Sequence, residues 1–168
     1  MRKWAGFALL VAVAVACDIW TKRWAAASLP PGTTVHPWGD WLPLTLGYNR
    51  GIAFGLHIGG ASRVVFTLVS VLVLPVVAIL HRATPAGEKL RTLGLALMFA
   101  GATGNLIDRA FSARGVIDFI GPYDLKFMRW PVFNCADMWV VTGTIAFAIV
   151  AARPHPKPGT APAPEQML

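Results

Sequence analysis

The chain has little charge: Asp, Glu, Lys and Arg make up 14% of its 168 residues, hydrophobic residues 55%, and the mean hydropathy is +0.56. So much apolar surface exceeds what a soluble core of this size can bury, which excludes an ordinary soluble domain. Acids are the scarcer charge, 8 against 15 Lys and Arg, for a net charge of +7. The bases are scattered among loops with no basic helix or aromatic RNA-binding motif, so nucleic acid is excluded as a partner and membrane lipids, through anionic head groups, are favoured. Cysteine is nearly absent. Cys17 and Cys135 lie in or beside apolar stretches without metal-ligand spacing, and two free thiols with no disulfide are expected.

What remains is long apolar runs. A bilayer core about 30 Å thick takes roughly 17 to 25 apolar residues per helix, and four stretches approach that length: 4–21, 64–80, 92–107 and 131–152, the last span itself set at 134–152. The expected fold class is an all-α membrane protein with four transmembrane helices in one domain, 1–153, followed by a disordered Pro-rich tail, 154–168. Four spans put both termini on one side, and Arg2 and Lys3 favour the cytoplasm, although the loop cations divide almost evenly between the two sides. The run from Met1 to Cys17 has the look of a lipoprotein signal peptide. Three further apolar spans argue against cleavage there.

About forty residues separate the first two spans. Alternation at Leu42, Leu44, Leu46 and Tyr48 predicts short strands, and Trp38 and Trp41 suit the membrane interface, which together predict a small β platform on the outer leaflet. Pro75 is expected to bend or weaken the second span. A second outer loop, 110–130, precedes the last span.

Charges inside apolar spans are costly, about 2.5 to 3.5 kcal/mol each at mid-bilayer, yet here they gather at one level. Asp18, Lys22, Asp108, Arg109 and Asp137 all fall at span ends facing the outer side, joined by Asn105, Asn134 and the loop residue Asp118. Gly94, Gly101, Asn105 and Asp108 form one face of the third span, where small residues admit a neighbouring helix. Asn105 and Asp108 alone also suit interhelical hydrogen bonding. Asp18 and Lys22, four apart, suit an ion pair that is either structural or supports a substrate site. Asp40 and Asp124 follow glycines and read as turn acids. Asp118 differs, sitting among Val116, Ile117 and Phe119, while Asp137 opens the last span, where a helix cap is the plain reading. If Asp118 and Asp137 meet, two charges about 4 Å apart repel by about 4 kcal/mol at an effective dielectric near 20. The pair would then share one proton near neutral pH.

Five motifs in order resemble one family, the lipoprotein signal peptidases (signal peptidase II). They are Asp18-Ile-Trp-Thr-Lys22, Asn49-Arg-Gly-Ile-Ala-Phe54, Gly101-Ala-Thr-Gly-Asn105-Leu-Ile-Asp108-Arg109, Val116-Ile-Asp118-Phe119 and Phe133-Asn134-Cys-Ala-Asp137. The resemblance implies an aspartic endopeptidase of the bacterial inner membrane with Asp118 and Asp137 catalytic, and with Asp18, Lys22, Asn49, Gly101, Asn105, Arg109 and Asn134 in support. It implies no cofactor and no metal. The implied substrate is a diacylglyceryl-modified prolipoprotein cut just before its lipidated cysteine, and the enzyme is expected to be a monomer. It also implies a periplasmic β cradle and a short helix in the second outer loop.

Three rivals have less behind them. A proton-coupled transporter predicts ionisable residues across the membrane depth, but the second span offers only Thr67 and Ser70 and the last only Thr142 and Thr144. A serine/lysine peptidase would need Ser112 with Lys126 or Ser28 with Lys22, and neither pair has motif context. Oxygen ligation of a metal by Asp118, Asp137 and Asn134 lacks a histidine nearby in sequence.

Overall fold

The computed structural model describes residues 2–50, 52, 53, 56, 57 and 61–153, with the backbone alone for residues 2, 52, 53, 56 and 57. The expected tail, 154–168, and Gly51 and Phe54 of the second motif lie outside the described residues. Four α-helices, α1 (Arg2–Ser28), α2 (Ser62–Ala83), α3 (Lys89–Phe111) and α4 (Cys135–Ala151), are joined by short strands. These are β1 (Thr34–Val35), β2 (Leu44–Asn49), β3 (Ile52–Ala53), β4 (Leu56–His57), β5 (Val116–Ile120), β6 (Tyr123–Asp124) and β7 (Arg129–Trp130). The first three helices are long and apolar enough to cross a bilayer, and α4 is a shorter apolar helix of 17 residues.

Helix α1 runs well past the predicted end at residue 21, because nothing breaks it before Pro30 and Pro31. It buries one narrow stripe, Phe7, Ala14, Asp18, Lys22, Ala25 and Leu29, at steps of three, four or seven residues. The other faces carry large apolar side chains outward, Leu9, Val13 and Trp20 each more than 60% exposed, as a lipid-facing surface does. Helix α2 continues through Pro75 without interruption and stops where Pro85 forces Thr84 into an extended conformation.

Helix α3 is the hub, packed on α1, α2 and above all α4. The close approach to α4 depends on glycine at the contact. A Cβ on Gly94 would sit 2.8 Å from the Gly143 carbonyl oxygen, and one on Gly143 would sit 2.6 Å from that of Gly94. A Cβ on Gly101 would collide with the Ala136 carbonyl. Away from the site, Phe7, Val77, Leu95 and Ala96 form the apolar core of the bundle.

The predicted platform is an antiparallel three-stranded sheet, β1-β2-β5. Leu44 and Leu46 pack against Ala25 and Leu29 at the end of α1 and against Phe119 of β5, which explains the alternation seen in the sequence. Opposite β5 the register moves from Leu44↔Ile120 to Gly47↔Asp118, one extra residue in β2 and hence a bulge beside Asp118.

The second outer loop differs from the expectation. Residues 112–134 contain no helix, only β5 and the β6–β7 hairpin. Val116, Ile117, Phe119 and Ile120 are β-branched or aromatic, and β2 offers a free edge. Asp118 is therefore a strand residue and not a loop residue.

Because the α3–α4 seam is backbone against backbone, Gly143→Val should destabilise the protein by about 3 kcal/mol or more. Gly6→Val, at a position where a Cβ meets nothing within 4 Å, should change little, and thermal melts of both variants in the same detergent check the contrast.

Candidate active site

The site is assembled at one end of the bundle from α1, α3, β5 and the start of α4. Its centre is the Lys22 ammonium, 2% exposed and surrounded by three acceptors: Asp18 Oδ2 at 2.7 Å, Asp108 Oδ2 at 2.9 Å and Asn105 Oδ1 at 3.0 Å. Three N–H donors meet three oxygens, so the buried cation is fully satisfied. Asp18 Oδ1 in turn accepts from the Ala136 backbone N–H at 2.8 Å, which ties α1 to the first turn of α4. Gly104 makes room for this carboxylate, since a Cβ there would lie 2.5 Å from Asp18 Oδ2.

From Lys22 the network passes through two asparagines to two aspartates. Asn105 donates Nδ2 to Asp137 Oδ1 at 2.8 Å, and its Oδ1 accepts from Asn134 Nδ2 at 3.1 Å. Asn134 also donates Nδ2 to Asp118 Oδ1 at 2.6 Å. At the start of α4, Asn134 Oδ1 accepts from the Asp137 N–H at 3.0 Å, while Asp137 Oδ2 accepts from the Asn134 N–H at 3.2 Å. This reciprocal capping box makes the plain reading of Asp137 correct as far as it goes. The same carboxylate nevertheless turns its Oδ1 to Asn105, so capping holds Asp137 in place at the positive end of the helix.

Backbone pairing explains why Asp118 is beside it. The segment before α4 bonds directly to β5, with the Phe133 carbonyl accepting from the N–H groups of Phe119 and Ile120 at 2.9 and 2.8 Å and the Phe133 N–H donating to the Ile120 carbonyl at 2.9 Å. On the other side, Gly115 immediately precedes β5 at φ +106°, where a Cβ would lie 2.5 Å from the Asn49 carbonyl oxygen. Asn49, the last residue of β2, hydrogen-bonds to Asp118 through its side chain.

Asp118 is 5% exposed. Burial, and then the negative charge of Asp137, push its carboxyl from 3.8 up to about 7, against the hydrogen bonds from Asn49 and Asn134. Arg109, on the last turn of α3, lies within electrostatic reach of Asp137, Asp118 and Asp108, with its guanidinium 5.9 Å from the centre of the Phe66 ring. Arg63 at the start of α2 closes that end of α3, donating Nε to the Arg109 carbonyl at 3.0 Å and Nη2 to the same oxygen. Gly101 stands apart as a packing residue of the α3–α4 seam. Both thiols are free, and Thr21 donates its hydroxyl to Cys135 Sγ at 3.4 Å. Among the described residues no cluster of three or more His, Cys, Asp and Glu side chains has the arrangement to hold a metal ion.

One residue was undervalued in the sequence. Asp108 Oδ2 accepts from Lys22 and also, at 3.3 Å, from the backbone N–H of Ile117, the residue before Asp118. It links the buried cation to strand β5. The signal was its place on the same helical face as Asn105, where hydrogen-bonding glue between helices was the plain alternative.

A family model described as signal peptidase (SPase) II matches residues 10–153. The lipoprotein signal peptidase of Oleidesulfovibrio alaskensis is 37% identical over 153 residues, covering 88% of this chain and 94% of that protein. That of Moorella thermoacetica is 39% identical over 139 residues, covering 83% and 87%. The chain belongs to the signal peptidase II family. Two solved structures of bacterial membrane enzymes, determined by the in meso method at 2.3 and 1.9 Å, share the fold. Their TM-scores are 0.76 and 0.74 at 26% and 25% identity, covering 88% and 89% of this chain and 87% and 94% of theirs. As a signal peptidase II the protein is a hydrolase and a multi-pass membrane protein. The transporter alternative finds no support in this family.

Removing the hub should be severe. Lys22→Met leaves the Asp18 and Asp108 carboxylates buried without their counter-charge, and a loss of about 3–5 kcal/mol is expected, read as a large drop in melting temperature. Asp108→Ala should destabilise less, since it removes one anion and retains the Asp18–Lys22 pair.

Proposed function

We propose that Asp118 and Asp137 are the catalytic pair of an aspartic endopeptidase that removes the signal peptide from diacylglyceryl-modified prolipoproteins just before the lipidated cysteine. The observation that carries this is one asparagine, Asn134, bonded to both carboxyl groups, with Asp118 buried and holding a proton up to about 7. Two carboxyls in this state at neutral pH suit opposite tasks.

The division of labour follows from their surroundings. Asp137, with Asn105 and the Asn134 N–H donating to it at a helix N-terminus, suits the anion and acts as the general base. Asp118 carries the proton and acts as the acid. A water between them gives a proton to Asp137 while its oxygen bonds to the scissile carbonyl carbon. Asp118 protonates the amide nitrogen as the C–N bond breaks, leaving a carboxyl end on the signal peptide and a free amine on the lipidated cysteine. Arg109 supplies positive potential near the developing oxyanion, and the Asn105 amide, which spends one Nδ2 proton on Asp137, has a second to donate.

The same reading puts α4 across the bilayer as a fourth span, with the termini cytoplasmic and the site at the outer face of the bacterial inner membrane. Exposed Trp20, Trp38, Trp41 and Phe111 at the site end agree with an interfacial belt. The chain acts as a monomer, with bilayer lipids as its surroundings.

Asp118→Asn and Asp137→Asn, purified in nanodiscs, should each lower kcat by about a thousandfold or more while remaining folded. A diacylglyceryl-modified prolipoprotein should be cut by the wild type in the presence of chelator, and its unlipidated copy should not. Cleavage retained in either folded variant would remove that aspartate from the pair.

The pH dependence has a definite sign. Since the Asp118 carboxyl is raised from 3.8 to about 7, turnover should fall as pH rises through about 7 and the acid is lost. Between about 4 and 7 the folded state binds the proton that the unfolded state has released, so folding stability falls across this window as pH rises. Asp118→Asn should therefore gain stability relative to wild type on going from pH 4 to pH 8, and melts at several pH values check this.

A further inference from the structure

The β6–β7 hairpin has no part in the network above, yet it is built with care. Tyr123 pairs with Trp130 and Asp124 with Arg129. The tip is fixed by three bonds, Leu125 N–H to the Met128 carbonyl at 3.0 Å, Phe127 N–H to the Leu125 carbonyl at 2.8 Å and Lys126 N–H to Asp124 Oδ1 at 3.0 Å. Lys126 takes φ +67° to close the turn. At the root Tyr123 stacks on Phe133, ring centres 6.2 Å apart.

This ordered tip presents what a soluble surface avoids. Phe127 is 82% exposed, and Leu125, Met128 and Trp130 are each about 40% exposed. Two exposed cations, Lys126 and Arg129, stand among them, and the one acid, Asp124, is engaged in the turn. Arg129 also lines an open cleft of about 440 Å³ at the hairpin root, opposite Thr34 and Thr45 and bordered by Gly32, Pro122 and Pro131. The two threonine hydroxyls bond to each other at 2.8 Å. One of their two protons is used in that bond, and the other remains for a further acceptor.

Apolar side chains interleaved with cations match the chemistry of an anionic leaflet surface, where acyl chains begin beneath a layer of phosphates. We propose that this hairpin docks on an anionic phospholipid of the outer leaflet. Leu125, Phe127 and Met128 enter the boundary between head groups and acyl chains, and Lys126 and Arg129, with the Thr34–Thr45 hydroxyl pair, take the phosphodiester. The inference rests on the reading that the site end of the bundle lies at the membrane's outer face. Its consequence is positional: a few residues connect the hairpin to Asp118 on one side and to Asn134 on the other, so docking fixes the depth of the pair relative to the leaflet.

The test uses the full chain in nanodiscs, with a trifluoromethyl-phenylalanine placed singly at Phe127, at Leu72 in the middle of α2, or at Ala86 in the α2–α3 turn. Fluorine relaxation by dissolved oxygen reports lipid contact, and relaxation by a water-soluble nickel chelate reports water contact. Position 127 is expected to resemble position 72 more than position 86. Its protection should grow as phosphatidylglycerol replaces phosphatidylcholine, and this growth should vanish in Lys126→Gln/Arg129→Gln. Chelate contact at 127 equal to that at 86, with 72 still in lipid, overturns the docking and leaves the spanning arrangement intact. Protection without any dependence on phosphatidylglycerol overturns the phosphate seat. Chelate contact at 72 removes the spanning arrangement and this proposal with it.

Discussion

A single buried cation organises the functional end of this protein. Lys22 has its ammonium closed off from solvent, and each of its three protons faces an oxygen from a side chain on α1 or α3. Burying a charge is expensive unless every bond is made, so Asp18, Asp108 and Asn105 have little freedom to move. Each passes the constraint on. Asp18 holds the first turn of α4 through Ala136, Asp108 holds β5 through Ile117, and Asn105 holds both Asn134 and Asp137. Both aspartates of the pair are thereby positioned by groups that carry no titratable proton of their own at neutral pH, the amides of Asn105 and Asn134.

That arrangement resolves a conflict. Two carboxyls held close together repel, and the mutual repulsion would drive apart side chains on flexible loops. Here one carboxyl is fixed by the capping box of α4 and the other by a strand bonded on both edges, to β2 and to the Phe133 segment. Burial first, and then this repulsion, raise the proton affinity of Asp118, and the two side chains stay where the backbone holds them. Pairs of carboxyls with divergent surroundings are how one site offers an acid and a base at the same pH.

Much of this was legible in the sequence because intramembrane charges are costly and therefore informative. The clustering of Asp18, Lys22, Asn105, Asn134 and Asp137 at one level, the glycine face of α3 and the alternation of β2 all follow from simple periodicities, and the structure brings these residues together. The parts that were not legible depend on long-range pairing. Nothing local in Val116 to Ile120 says that it will add to β2, or that Phe133 will bond to its far edge, and the helix that the family resemblance implies for the second outer loop has no place beside these strands. The sequence places Asp108 at the charged level, with interhelical hydrogen bonding as the alternative, but its bond to the Ile117 backbone N–H has no sequence signature. The apolar run places the end of the first span at residue 21 because Lys22 reads as an exit from the membrane, whereas its charge is paired inside the bundle and α1 continues to Ser28.

Burial and the neighbouring Asp137 keep a proton on Asp118 up to about 7. Infrared difference spectroscopy of the protein labelled with ¹³C-carboxyl aspartate, titrated in nanodiscs, reads that proton directly. A protonated-carboxyl band should disappear with a midpoint at about 7 and be missing from Asp118→Asn. A spectrum in which no aspartate carboxyl titrates near neutrality, with both groups already ionised at mildly acidic pH, would contradict it.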